Sequence, residues 1–129
     1  MTTIQIDHRP YTVCHTDSYC RYHCEDGPAV VCLDGSYAWY IHGKRHRTDG
    51  PASVDADGTK VWYQNDLIHR ADGPAVEYPN GGTEWWYKNR LHRTDGPAID
   101  YADGTKKWCL HGKEVSKFEH WVMTNKVTE

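Results

Sequence analysis

Apolar and polar side chains alternate at the start of the chain. Ile4 and Ile6 share one face, and Tyr11 and Val13 resume the pattern after His8-Arg9-Pro10. Alternation of period two around a proline-containing turn predicts a β-hairpin over residues 2–14. Residues 14–24 are the least regular part, yet they fall into repeat register at His23. They read as a degenerate half-repeat, so that residues 1–22 form an N-terminal cap. From Asp26 onward the pattern is cut into short runs at fixed intervals. In the first unit the runs are about Ala29 to Leu33 and about Tyr37 to His42, divided by Asp34-Gly35. The same division returns at Asp57-Gly58, Asn80-Gly81 and Asp103-Gly104. These dipeptides tolerate the positive φ of a tight turn, so each pair of runs predicts two antiparallel strands.

Between these hairpins stands a box, His46-Arg47-Thr48-Asp49-Gly50-Pro51-Ala52. It returns as His69-Arg70-Ala71-Asp72-Gly73-Pro74-Ala75 and His92-Arg93-Thr94-Asp95-Gly96-Pro97-Ala98. An earlier copy, His23-Cys24-Glu25-Asp26-Gly27-Pro28-Ala29, keeps all but the arginine, and the four aspartates stand 23 residues apart. Five residues after each turn Asp or Asn comes a tryptophan: Trp39, Trp62, Trp85 and Trp108. A third loop (Gly43-Lys44, Asp66-Leu67, Asn89-Arg90, Gly112-Lys113) reads as the connection to the next histidine. A fixed period without insertions is the mark of a repeat architecture. Two strands per unit at ~4.8 Å advance the stack by roughly 10 Å, so four units make a body of roughly 40 Å. No unit can bury its aromatic face alone; its neighbour does that. The prediction is all-β: an elongated stack of β-hairpins in a single twisted sheet, with four units over residues 23–115.

The pattern changes once more at Ser116-Lys117-Phe118-Glu119, a capping box. Phe118, Trp121 and Val122 then fall on one helical face, which predicts a short C-terminal capping helix over residues 116–125. Its expected task is to cover the last strand edge, which otherwise invites pairing with another chain.

Composition narrows the function classes. The chain carries 6 Trp and 9 Tyr beside one Phe in a polar background of mean hydropathy −0.84. Amphipathic rings of this kind suit thin sheets that pack on one side and meet water on the other. A net charge of −3 gives no electrostatic reason to expect a nucleic-acid partner. No run of 18 apolar residues is present, so no membrane span is expected. The N-terminal residues lack the basic start and apolar core of a signal peptide. Five cysteines without a disulfide spacing pattern complete the expectation of a reduced, cytoplasmic protein.

Five groups of residues invite chemistry. Trp39, Trp62, Trp85 and Trp108 are expected to form the structural core, because a feature needed in every unit is what makes units stack. The next column, Tyr40, Tyr63 and Trp86 with Tyr87 beside it, must point to the opposite face and is the candidate partner-binding surface. A homodimer face would use the same rings. Arg47, Arg70 and Arg93 each precede a box aspartate by two positions. An ion-pair ladder with a role at the rim of the interface is one reading; a stripe that binds a nucleotide or other anion is the other. The box histidines lie roughly 10 Å apart by strand spacing, too far to share one metal ion, and are expected to hydrogen-bond the next turn. Cys14, Cys20, His23 and Cys24 are the one cluster with metal-ligand density, although their spacing matches no standard zinc pattern. No phosphate loop, nucleophile elbow or His-Glu-x-x-His is present, and neither catalytic residues nor a cofactor is expected.

The unit, roughly His-Arg-x-Asp-Gly-Pro-Ala-x5-Asp-Gly-x4-Trp-Tyr-x2-Gly-Lys-x-His, resembles the MORN-type repeats of bacterial, bacteriophage and large-virus proteins. The likeness covers about residues 23–115. It implies a β-hairpin repeat scaffold used for interaction, with no shared catalytic residues to carry over. The expected function is therefore a non-catalytic module that binds a protein partner, in the form of a phage or viral accessory protein that inhibits or adapts a host protein. The alternatives are a nucleotide or anion binder on the arginine stripe, and a zinc-containing or enzymatic protein centred on Cys14, Cys20 and Cys24.

Overall fold

The computed structural model describes residues 3–5 and 11–125. It is mostly β, an open stack of hairpins with one short C-terminal helix. Strands β1 (Thr3–Gln5) and β2 (Tyr11–Thr16) form the N-terminal antiparallel pair. The connection between them, with the predicted proline turn, lies outside the described residues.

Each unit then makes two hairpins. In the first unit β3 (Val30–Cys32) pairs with β4 (Tyr37–Ala38), and β5 (Tyr40–Ile41) pairs with β6 (Lys44–Arg45). The second unit repeats this with β7 (Ser53–Val54) and β8 (Lys60–Val61), then β9 (Tyr63–Gln64) and β10 (Leu67–Ile68). The third uses β11 (Val76–Glu77) and β12 (Thr83–Glu84), then β13 (Trp86–Tyr87) and β14 (Arg90–Leu91). In the fourth, β15 (Ile99–Asp100) pairs with an unbroken β16 (Lys106–Leu110), which pairs with β17 (Lys113–Val115). The first hairpins join edge to edge in one antiparallel sheet in the order β1-β2-β3-β4-β7-β8-β11-β12-β15-β16-β17.

The main-sheet turns obey the sequence. Gly35, Gly58, Gly81 and Gly104 take φ of 91° to 97°, and the preceding Asp or Asn side chain accepts the backbone N–H two residues on. The third loop differs from expectation: it is a second tight hairpin. Its two turn residues both carry positive φ, as in His42 (46°) with Gly43 (83°) and Asn65 (50°) with Asp66 (67°), which suits the twist of two short strands.

The branch between the two hairpins is the tryptophan. Trp62 donates its N–H to the Ala75 carbonyl in the main sheet at 2.7 Å, while its own carbonyl accepts from His69 in the second hairpin at 3.0 Å. Trp39 and Trp85 do the same. Second hairpins also link from unit to unit, since the carbonyls of Tyr22, Arg45, Ile68 and Leu91 accept the N–H of Gly43, Asp66, Asn89 and Gly112. Tyr22 belongs to the irregular N-terminal segment. There Cys20 holds φ of 63° at the place that Gly43 occupies one period later, so the segment serves as the unit that precedes the first.

Burial centres on the alanine that closes the box. Ala29, Ala52, Ala75 and Ala98 are 0% exposed, beside Val30, Val76 and Ile99. The four tryptophans are half-buried, and no tryptophan ring stacks on another among the described residues. The ladder expected as a core of rings between rungs is instead a set of separate rings, each covered by a cation.

The C-terminal helix α1 (Lys117–Thr124) starts on the predicted capping box, with Ser116 and Glu119 exchanging hydrogen bonds. Its orientation reverses the expectation. Phe118 and Trp121 are 73% and 61% exposed, and Val122 and Met123 also face solvent, whereas His120 is buried. A hydrogen bond from His120 Nε2 to the Arg93 carbonyl seats the helix against the last box. No helix among the described residues is long and apolar enough to cross a membrane.

Candidate interaction surface

The box residues converge on one corner per unit. The guanidinium of Arg47 lies over the Trp39 ring with its carbon 3.9 Å from the centroid; Arg70 covers Trp62 at 4.1 Å and Arg93 covers Trp85 at 4.0 Å. Each arginine donates Nε–H to the box aspartate and Nη1–H to the proline carbonyl, as in Arg47 to Asp49 (2.8 Å) and Pro51 (3.2 Å). The expected ion-pair ladder is thus present, with each guanidinium also stacked on an indole. Arg47 and Arg93 hold the carboxyls of Asp49 and Asp95 below the usual range by these hydrogen bonds.

The histidine column stitches units together. Nδ1 of His23, His46, His69 and His92 accepts the N–H of His42, Asn65, Lys88 and His111, at 3.0, 3.2, 2.9 and 3.0 Å. This is the bond to the next turn that the spacing suggested. It requires Nδ1 to carry a lone pair, so the proton of the neutral ring sits on Nε2.

The aromatic column lies across the sheet from these corners. Arg70, over Trp62, reaches Glu77 at 3.6 Å on one face, whereas Trp86 donates Nε1–H to Glu84 on the face shared with its strand partners Val76 and Ile99. Tyr40 packs against Tyr22 and the cluster of Cys24, Ala29 and Val30. Arg45 bridges the column, its guanidinium 5.2 Å from the Tyr63 ring and 5.9 Å from Tyr40. Tyr87, next to Trp86 in the strand, turns back to the corner side: 44% exposed, it stands 4.5 Å from the His69 ring and 6.3 Å from His92, with Lys88 over it. Leu67 is exposed one hairpin away, while Cys109, the fourth member of the column, is buried.

Glu84 was not singled out by sequence. It is buried and accepts three hydrogen bonds: from Trp86 at 2.8 Å, Tyr78 at 2.8 Å and Tyr101 at 2.6 Å. The bond that Tyr101 donates to the Glu84 carboxylate pushes its phenol up to about 12; burial and the same carboxylate push Tyr78 higher. Aligning the units exposes it, because Ala38, Val61 and Lys107 fill that slot elsewhere and tyrosines fill the facing slot in the third and fourth units alone.

The cysteines do not assemble with His23. Cys14 and Cys24 are buried, Cys20 is exposed, and Cys24 donates to Asp26 at 3.2 Å. The side chains that do approach metal-binding separation are Asp17, His23 and His42, whose ligand atoms lie within 4.8 Å of one another. Their hydrogen bonds oppose a metal. His23 Nδ1 is occupied by the His42 N–H, which leaves the protonated Nε2 turned toward Glu25, 3.6 Å away. Asp17 already serves His42, the Arg21 guanidinium and two backbone N–H groups. Although burial opposes the charge, these bonds hold its carboxyl far below the usual range. The rings of His23 and His42 stack at 4.2 Å, as those of His92 and His111 do at 4.4 Å in the fourth unit where no carboxylate attends. The pairing belongs to the scaffold. No family model matches the chain, and no curated protein or solved structure matches it either.

Proposed function

We propose that this chain is a non-catalytic, MORN-like repeat scaffold that binds a protein partner inside the cell, through the exposed side of its second hairpins. One observation carries the reading: invariant residues are consumed in holding units together, while the displayed residues change from unit to unit. The box histidine, arginine, glycine and alanine are engaged internally in unit after unit. The surface they hold in register presents Ile41, Gln64, Tyr87 and Leu110 at one position and Lys44, Leu67, Arg90 and Lys113 at another. A fixed frame with a variable, partly aromatic face is the arrangement that recognises one particular protein. Tyr87 and Leu67 are its exposed apolar anchors, with Arg45, Lys88 and Arg90 around them. Five cysteines without a disulfide suit a reducing compartment. An adaptor or inhibitor acting on a host protein is the form the repeat resemblance suggests. The anion-binding reading is less well supported, since Arg47, Arg70 and Arg93 already spend Nε and Nη1 on internal acceptors.

The test compares affinity purification by the wild-type chain with that by a Leu67→Ala/Tyr87→Ala double variant, followed by mass spectrometry. A partner captured by the first and lost from the second, at unchanged thermal stability, supports the reading. Capture that survives the double substitution rejects it.

A further inference from the structure

The first and last gaps between second hairpins are built from the same parts, and one of them holds a carboxylate. Before the first unit, the Arg21 stem lies over Gly43, where an added Cβ would meet it at 3.4–3.7 Å; before the fourth, Arg90 lies over Gly112 at 3.6–3.7 Å. His42 donates its N–H to His23 Nδ1 and stacks on that ring at 4.2 Å; His111 does the same with His92, at 4.4 Å. Asp17 faces Arg21 across its hairpin as Tyr87 faces Arg90. The two middle gaps lack this set, because Lys44 and Leu67 stand at the arginine position and Asn65 and Lys88 at the histidine position. In the first gap the Asp17 carboxylate lies 2.9 Å from Arg21 Nε and 2.9 Å from His42 Nδ1, and it also accepts the N–H groups of Tyr19 and Arg21. In the last gap the Tyr87 ring leans away, 4.5 Å from His69 against 6.3 Å from His92. A cavity of 330 Å³ opens among Tyr87, Lys88, Arg90, His92 and His111. Among the described residues no carboxylate pairs with Lys88, Arg90 or His111.

We infer that this cavity receives the carboxylate of an Asp or Glu side chain from the partner protein, held by Arg90 and His111 as Asp17 is held by Arg21 and His42. A guanidinium and an imidazole N–H both donate to an anion, and such charge-assisted bonds are shorter and stronger than neutral ones. Lys88, at the rim, supplies a further cation where Asp17 uses the N–H groups of its own turn. With the second hairpins as the partner-binding surface, on which this assignment rests, an acidic residue beside an apolar one in the partner engages the cavity and Tyr87 together.

The experiment follows the histidine ring signals of the full chain by NMR at constant ionic strength. The probes are the capped tripeptides N-acetyl-Gly-Glu-Gly-amide and N-acetyl-Gly-Gln-Gly-amide, and inorganic phosphate. The glutamate peptide should shift His111 and His92 saturably at millimolar concentrations. His42, whose place is filled by Asp17, should stay still, and the glutamine peptide should shift none of them. Arg90→Gln keeps a stem over Gly112 and removes the charge, and should weaken the response roughly two- to fivefold. No shift of His111, an equal shift of His42, an equal response to the glutamine peptide, or a folded Arg90→Gln chain that responds as wild type would overturn the inference. So would phosphate that moves the same signals more strongly than the glutamate peptide, since the cavity would then be a phosphate site. Should the variant fail to fold, the three probes on the wild-type chain decide. Partner capture through Tyr87 and Leu67 is a separate readout, so the cavity can fail this test while the interaction surface stands.

Discussion

The guanidinium of Arg70 lies flat on the backbone of Gly73, so close that a Cβ at residue 73 would meet the guanidinium carbon at 2.8 Å. The same holds for Arg47 on Gly50 and Arg93 on Gly96, each at 2.9 Å. These glycines do not take the left-handed φ of the turn glycines; they are needed for the space they leave. Indole, guanidinium and glycine form a sandwich, and a methyl group would break it open. Gly73→Ala should therefore destabilise by about 1–3 kcal/mol, the range for overpacking. In the first unit Cys24 replaces the arginine and nothing lies within 4 Å of a Cβ at Gly27. Gly27→Ala should stay within about 0.5 kcal/mol of wild type. Urea unfolding of the two variants separates them; equal costs would mean that glycine serves the backbone in both.

Glu84 gives the alkaline side of the stability profile a distinct shape. Its carboxylate favours the neutral phenols of Tyr101 and Tyr78, so their proton affinity is higher in the folded chain than the ordinary value near 10. The contribution is complete below pH 10 and is lost as pH rises toward the folded value, about 12 for Tyr101. Absorbance titration should show two late tyrosines. In Glu84→Gln the late step should move back toward pH 10; a titration unchanged by that substitution would dismiss the carboxylate as its cause.

Just below neutral pH, two members of the histidine column, His69 and His92, shape the profile. Burial holds His69 and His92 below their ordinary value, with Lys88 adding to the first and His111 and His120 to the second. Protonating Nδ1 would also set two donors against each other at Lys88 N and His111 N. The unfolded chain therefore takes up protons first as pH falls through about 6.5. The contribution of these two histidines should be constant above that pH and decline below it, toward the folded values. His69→Asn, whose side-chain oxygen does not titrate, should flatten the decline between about pH 7.5 and 5.5 in urea titrations. An equally steep decline in both proteins would remove His69 from the explanation.

What could be read from sequence and what could not divide along physical lines. The period, the Asp-Gly and Asn-Gly turns and the capping box are local, and each appears where the residues placed it. The second hairpin reads only as a loop because its turns share no signature: His42-Gly43 and His111-Gly112 contain a glycine, whereas Asn65-Asp66 and Lys88-Asn89 take positive φ without one. For the tryptophans, alternation sets the face of each ring but cannot say whether it meets another ring or an arginine eight residues on. The helix misled for the same reason. Periodicity finds an apolar face on Phe118, Trp121 and Val122, and does not determine which way that face turns.

That orientation sets the last prediction. His120 is 4% exposed and its Nε2–H reaches the Arg93 carbonyl, so the helix is seated by a buried polar bond. His120→Ala leaves that carbonyl without its partner and opens a void beside the last box, at a cost of about 1–3 kcal/mol. Phe118→Ala removes a ring that is 73% exposed, and should cost no more than about 0.5 kcal/mol. Hydrogen exchange over residues 117–124 makes the comparison local. His120→Ala should speed exchange through the whole helix, and Phe118→Ala should leave it slow. The reverse order would show that the helix is held by its apolar face, with the buried histidine incidental.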